Sequence, residues 1–240
     1  MNNLNTSFYE NIDINFEQAC KLAEQDFSQE QLLSLLENGN IPEKQIAALK
    51  LTTIKSKADS DILISNLTGC DGKIREAVAL KINTLLKQGN NSSFFLNYPE
   101  IFANATIDIN GNICRLVIDS VDLLKEDETF SKKYLSKIIT FINETFYELD
   151  KFIFRDKKYV INKQLFKLYW CLEALKSFNE KISAEELFKI LTRASQEKEY
   201  TIREKVAQIL ILTQDPEFNT LKQELSNDEN YYVREVFKTN

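Results

Sequence analysis

The strongest constraint on the fold is a short pattern that recurs at the start of three amphipathic segments. An aliphatic residue, an arginine and a glutamate follow one another at 74–76, 202–204 and 233–235. In the first copy, apolar residues continue at positions 78, 82 and 85, and such steps of three and four residues share one face of a helix. The chain therefore repeats one amphipathic helix, which is stable only when a neighbour covers its apolar face.

The spacing of the copies fits two helices per unit. Lys44 occupies the position of Arg75 in an earlier copy 31 residues away, and Arg203 and Arg234 are also 31 residues apart. Looser copies lengthen the middle steps to about 39 to 48 residues, and each copy follows another helical segment. With only 5 Gly and 3 Pro, the chain has few residues for hairpins. The sequence predicts an all-α fold of about thirteen helices in roughly six antiparallel pairs.

The residues that precede the recurring triplets are suited to begin helices. Asp71 and Asn230 each stand three residues before an aliphatic residue, and their side-chain oxygens can accept hydrogen bonds from the unpaired amides of a first turn. Glu199 holds the same position in the remaining copy and is a poorer cap. Each copy therefore starts a new helix at the same point.

These units resemble HEAT repeats, in which the second helix of each pair opens with Asp, an aliphatic residue and Arg. The resemblance implies a right-handed α–α solenoid in a single domain over 16–240, preceded by an acidic extension at 1–15. It also implies that each arginine pairs with an acid of the adjacent unit, while a role in ligand binding stays open. The predicted structural ladder comprises Arg75, Arg203, Arg234, Asp71 and Asn230.

The net charge and the placement of the cysteines limit which partners and which cell compartment are expected. The net charge is -6, and residues 1–37 hold seven acids against the single base Lys21, so a nucleic-acid partner is not expected. No stretch approaches the roughly 20 apolar residues of a membrane span, and no secretory signal is present. The four cysteines are dispersed and form no CxxC pair, which predicts reduced thiols and a cytoplasmic location.

The chain contains no histidine, which removes Ser-His-Asp and Cys-His catalysis and every zinc site with an imidazole ligand. Close carboxylates such as Asp119 and Asp122 indicate a solvated helix face. The sequence therefore predicts no catalytic residue, no metal site, no cofactor and no enzymatic activity.

One segment, 151–170, combines basic residues with aromatic rings. This composition is typical of a surface for an acidic protein or a nucleic acid, although it also fits a connection whose rings enter the core while its lysines meet water. The candidate partner-binding residues are Arg155, Lys157, Lys158, Tyr159, Lys163, Lys167 and Trp170.

The function predicted from these features is a non-enzymatic scaffold that binds a protein or peptide on the surface of its second helices. Two alternatives stay open. One is nucleic-acid binding or base excision, since the alkylpurine DNA glycosylases are HEAT-like proteins of similar length. The other is an accessory lyase or chaperone subunit, by analogy with the HEAT-like chromophore lyases.

Overall fold

The fold is that of a computed structural model, which describes residues 6–89, 92–151 and 158–238. Within these ranges the chain forms α-helices and two short 3-10 turns, Asn179–Lys181 and Pro216–Phe218, and no strand. The predicted all-α class is confirmed. The helices are α1 (Thr6–Glu24), α2 (Gln29–Asn38), α3 (Ile41–Lys50), α4 (Lys57–Ser65), α5 (Gly72–Lys87), α6 (Ser92–Phe95), α7 (Pro99–Thr106), α8 (Gly111–Asp122), α9 (Glu128–Lys151), α10 (Lys158–Ser177), α11 (Ala184–Ser195), α12 (Tyr200–Leu210), α13 (Asn219–Ser226) and α14 (Tyr231–Glu235).

The helices divide into two compact units. The first comprises the described residues up to 105 together with 109–124, and the second comprises 106–108 and the described residues from 125 onward. Helix α1 begins at Thr6, inside the stretch 1–15 for which the sequence predicts an extension. The single domain over 16–240 stays a prediction.

In the first unit, the second helices of successive pairs pack side by side. Helix α3 contacts α1, α2 and α5, and α5 in turn contacts α8. Because α5 has a helix on each side, three successive residues, Ala77, Val78 and Ala79, are all buried. An amphipathic stripe alone would bury one or two of them, so the stacking explains why this helix is apolar on a wide face.

In the second unit, α10, α12 and α14 form the corresponding row, with α9 against α10, α11 against α12 and α13 against α14. Helix α12 lies between α10 and α14, and it buries both Val206 with Ala207 and Ile209 with Leu210. Within each unit, helix pairs therefore follow one another in a solenoid-like stack, as the recurring apolar face predicts.

Local capping accounts for where these helices begin. The side chain of Asp71 accepts hydrogen bonds from the amides of Lys73 and Ile74, and the side chain of Asn230 accepts one from Tyr232. Glu199 stands at the same position before α12 but makes no side-chain capping bond. Asp and Asn cap helices better than Glu because their shorter side chains place an oxygen where the first-turn amides can donate to it.

The cysteines are free thiols, of which Cys114 and Cys171 are buried whereas Cys20 and Cys70 are exposed. In the described part of the chain, no helix combines the length and the apolar character needed to cross a membrane. The cytoplasmic location stays a prediction.

Candidate functional site

The three arginines of the predicted ladder make the same local contact. Each guanidinium donates from Nη1 to the backbone carbonyls five and six residues earlier, at distances between 2.5 and 3.1 Å. This contact ties the loop before α5, α12 or α14 to the first turn of that helix. The acceptors are the carbonyls of Gly69 and Cys70, of Glu197 and Lys198, and of Asp228 and Glu229.

Arg203 also pairs with an acid of the next helix pair. Its Nε lies 2.7 Å from Asp228 Oδ2 and its Nη2 lies 3.0 Å from Oδ1, and the two side chains are only 9% and 7% exposed. The hydrogen bonds from Arg203 lower the pKa of the Asp228 carboxyl, and the same bonds raise the pKa of the guanidinium. With these partners and two carbonyls, the Arg203 guanidinium is fully engaged, so its role is to join neighbouring helix pairs.

The predicted basic and aromatic segment is only partly visible. Arg155 and Lys157 lie outside the described residues, as do the side chains of Lys158 and Tyr159.

The described lysines of this segment lie apart from its rings. Lys163 is exposed, whereas Lys167 is half-buried with Nζ 3.5 Å from Glu144 Oε2 and 4.6 Å from the centre of the Phe141 ring, both on α9. Trp170 is buried and contacts other rings of α10. The binding of a protein or peptide partner by this segment stays a prediction.

The rings of α10 border a cavity of about 480 Å³, called here the aromatic pocket. The ring of Trp170 meets Tyr169 edge to face at 5.2 Å and Phe166 at 6.1 Å between ring centres. The α10 residues of the pocket are spaced by three and four positions, so they share one helix face, and α12 supplies the opposite wall. The lining consists of Asn162, Leu165, Phe166, Tyr169, Trp170, Glu199 and Thr201.

A half-buried charge cluster lies next to this pocket. Lys176 Nζ is 2.6 Å from Glu173 Oε1, Lys205 Nζ contacts Glu173 Oε2, and Lys205 Nζ also lies 4.8 Å from the centre of the Tyr169 ring. Burial favours a raised pKa for Glu173, but hydrogen bonds from the two lysines outweigh it and lower that pKa. Burial likewise opposes the charge of Lys205, and Glu173 nonetheless raises its pKa. Sequence reasoning missed this cluster because nothing local links α10 to α12.

A second cavity, of about 560 Å³, lies between α9 and the start of α11 and is called here the polar groove. Lys181 Nζ lies 2.6 Å from Glu128 Oε1, and this hydrogen bond raises the pKa of Lys181. Ser183 caps α11 by accepting a hydrogen bond from the amide of Glu186 at 3.3 Å. The lining consists of Glu128, Ser131, Lys132, Leu135, Ser136, Ile139, Thr140, Lys181, Ile182, Ser183 and Glu186.

The polar groove is lined by ammonium, carboxylate, hydroxyl and apolar side chains. Lys132 and Lys181 can bind an anionic group, and the carboxylate of Glu186 forms no ion pair with any described residue. Hydroxyls of Ser136 and Thr140 line the same space as the apolar Leu135 and Ile139. In the described ranges, no three His, Cys, Asp or Glu side chains converge on a point where a metal ion could bind.

Comparison with models of protein families shows to which family the chain belongs. The family model for haloacid dehalogenase-like hydrolases matches residues 73–240, which is more than half of the chain and includes every residue of both cavities. The chain belongs to the haloacid dehalogenase-like hydrolase family. A search of curated proteins finds no significant match.

Solved structures with a similar trace share little sequence with this hydrolase family member. The complex of CpcE and CpcF of phycocyanin lyase from Nostoc sp. PCC7120 matches with a TM-score of 0.48 and 16% identity, covering 88% of this chain and 75% of that chain. One engineered protein matches at 0.44 and 11% identity, covering 89% and 94% of the two chains. A second matches at 0.44 and 14%, covering 89% and 96%. Likeness at this level carries no conclusion about function.

The family match corrects three expectations from the sequence. The assignment to HEAT repeats is wrong, because the family model that matches residues 73–240 is that of the haloacid dehalogenase-like hydrolases. The arginine of the recurring triplet bonds a loop to the helix that follows, and this local contact does not define a family. The expectation that the chain is not an enzyme is also wrong, and so is the non-enzymatic scaffold function, since the match is to hydrolases. The lack of histidine removes only the mechanisms that use imidazole, and it leaves carboxylate, hydroxyl and ammonium groups available.

Proposed function

We propose that this chain is a hydrolase and that the polar groove holds its substrate. The observation that carries the proposal is the family match over residues 73–240, a segment that contains the whole groove. A volume of about 560 Å³ suits a small organic molecule. The family name refers to haloacids, so short 2-haloacids are the first substrates to test.

Lys181 is the residue proposed to hold the anionic part of the substrate. Its side chain is 22% exposed, which is accessible enough for a ligand, and its contact with Glu128 favours the charged ammonium form. A carboxylate that enters the groove would exchange part of this exposed pair for a second ammonium–carboxylate contact. The apolar side chains of Leu135, Ile139 and Ile182 would then lie beside the remainder of the ligand.

Glu186 is the proposed general base. Its carboxylate would take one proton from a water molecule while the water oxygen forms a bond to the substrate carbon that bears the leaving group. The bond from that carbon to the leaving group breaks, and the leaving group departs with its electron pair, as halide in the case of a haloacid. General-base assistance of this kind contributes about 10²- to 10⁴-fold in rate.

The proposal is tested by measuring halide release from 2-chloropropionate and chromophore release from p-nitrophenyl acetate and p-nitrophenyl phosphate. The wild-type chain is expected to turn over at least one of them. Glu186→Gln should lower kcat by on the order of 10²-fold, while Lys181→Met should chiefly raise KM.

Glu185→Gln is the matched control, because Glu185 precedes Glu186 on α11, is 79% exposed and does not line the groove. It should retain the wild-type rate. If Glu186→Gln turned over as fast as Glu185→Gln, the groove would not be the active site. If the wild-type chain acted on none of the three substrate types, the hydrolase proposal would lose its support.

A further inference from the structure

The aromatic pocket has the opposite charge from the one that the segment's composition indicates. Among its described lining residues, Glu199 is the only charged one, so the lining carries a single negative charge at neutral pH. Thr201 Oγ1 lies 3.3 Å from Glu199 Oε1 and donates a hydrogen bond to it. Of the α10 lysines whose side chains the structure describes, neither Lys163 nor Lys167 lines the pocket.

Two described cations near this carboxylate are bonded to other groups. Arg203 is close enough to feel the charge of Glu199, but it is already bonded to Asp228 and to two carbonyl oxygens. Lys205 is bound to Glu173 and is itself 8% exposed. Glu199 forms no ion pair with any residue that the structure describes, so its charge is available to a ligand.

The remaining walls also favour a positive guest. Phe166, Tyr169 and Trp170 contribute three aromatic rings, and the face of an aromatic ring is the negative end of its quadrupole. The Tyr169 ring already has Lys205 Nζ 4.8 Å from its centre, so Phe166 and Trp170 are the rings left for a guest. A cation within about 6 Å of such a ring is attracted to it, most strongly when the site is partly desolvated. Rings together with one carboxylate form a lining that complements a weakly hydrated organic cation.

We infer that the aromatic pocket binds an organic cation with an alkylated ammonium head, a function separate from hydrolysis in the polar groove. The cavity of about 480 Å³ accommodates a trimethylammonium group with a short substituent. A bare metal ion or a primary ammonium would lose more hydration on entering an apolar lining. A nucleotide would bring a phosphate toward Glu199 and be repelled.

Trp170 provides the readout, because it is the only tryptophan of the chain and lines the pocket. Choline is the probe, and its uncharged isostere, in which a tert-butyl group replaces trimethylammonium, is the control ligand. Choline is expected to change the Trp170 fluorescence saturably, and the isostere is expected to bind about tenfold more weakly, since it lacks the ion pair and the cation–ring attraction.

Glu199→Gln keeps the shape of the side chain and removes its charge. Glu199 makes no capping bond, so this change should leave α12 intact, which circular dichroism can verify. Choline affinity should fall by about tenfold in Glu199→Gln and stay at the wild-type value in Glu185→Gln, which removes a carboxylate outside the pocket.

Three results would overturn the inference. The isostere could bind as tightly as choline, which would mark a purely apolar pocket. Adenosine monophosphate could shift the Trp170 fluorescence at lower concentration than choline, which would indicate a nucleobase site. Choline could also fail to bind the folded wild-type chain. Each result can be obtained whether or not the chain proves to be a hydrolase, because the readout does not depend on turnover.

Discussion

The polar groove and the aromatic pocket both lie in the second unit and involve the same helix pairs. The charge pairs near them differ in how deeply they are buried. The polar groove lies along the first helices of its pairs, α9 and α11, and its ion pair joins Lys181 to a Glu128 side chain that is 83% exposed. The aromatic pocket lies between α10 and the start of α12, and Arg203, in a buried pair with Asp228, bonds to the backbone just before Glu199.

The difference shows that charge pairs in one helical stack can have separate roles, since some join helices and others are accessible to a ligand. A buried, bidentate pair has few alternatives to its observed geometry, so it holds helices in register even if its net contribution to stability is modest. An exposed pair is screened by water and exchanges partners at little cost. The backbone just before Glu199 is therefore held by an arginine in a buried charge pair, whereas the charge pair in the groove is exposed.

The largest effect should come from removing the cation next to the aromatic pocket. Arg203→Met leaves Asp228 buried without its partner and frees two carbonyl oxygens, and it should lower the free energy of unfolding by about 3 to 5 kcal/mol. Urea unfolding followed by circular dichroism measures this loss. Choline binding should weaken in the variant, because Glu199 lies just before the displaced turn.

Arg234→Met is the matched comparison, since Arg234 has the same two carbonyl contacts and acts on Asp228 through its charge, with no described hydrogen bond to that carboxylate. This variant should lose about 1 kcal/mol of the free energy of unfolding, which is the contribution of ordinary hydrogen bonds. Equal losses in the two variants would mean that the Asp228 pair does not set the two arginines apart.

A smaller effect should appear when the pH is lowered. The pKa of Asp228 in the folded chain lies below its ordinary value because Arg203 donates hydrogen bonds to it. Its contribution to stability is therefore present above the ordinary aspartate pKa and is lost as the pH falls through the lower folded pKa. The stability difference between the wild type and Asp228→Asn should narrow on acidification, which urea unfolding at a series of pH values would measure. A difference that stayed constant with pH would contradict this assignment.

The smallest effect is expected in the polar groove. Glu128→Gln removes a 2.6 Å ion pair, yet Glu128 is 83% exposed, so thermal unfolding should shift by no more than the error of the measurement. A clear loss of stability would show that the Glu128–Lys181 pair stabilises the fold. The two charge pairs would then not differ in this way.

Sequence reasoning anticipated the fold better than the sites. The helix starts at Asp71 and Asn230 follow from capping chemistry, and the recurring apolar stripe follows from local spacing. The groove was missed because Glu128 and Lys181 are 53 residues apart and share no motif.

The basic segment shows what composition leaves undecided. Its composition correctly marks a region rich in rings and lysines, but one helix presents those residues in different directions. The structure places Lys167 against α9 and the Trp170 ring at a pocket whose described charge comes from Glu199, the residue before α12.

The sequence by itself determined the all-helical class and the starts of helices such as those at Asp71 and Asn230, because helical spacing and capping depend on residues within a few positions of one another. Tertiary structure alone decided which charges meet, as when Lys205 reaches Glu173 and Arg203 reaches Asp228. Those encounters depend on the packing of helices that are distant in sequence. Whether a charged side chain is neutralised or stays available to a ligand depends on distant residues that no local pattern specifies.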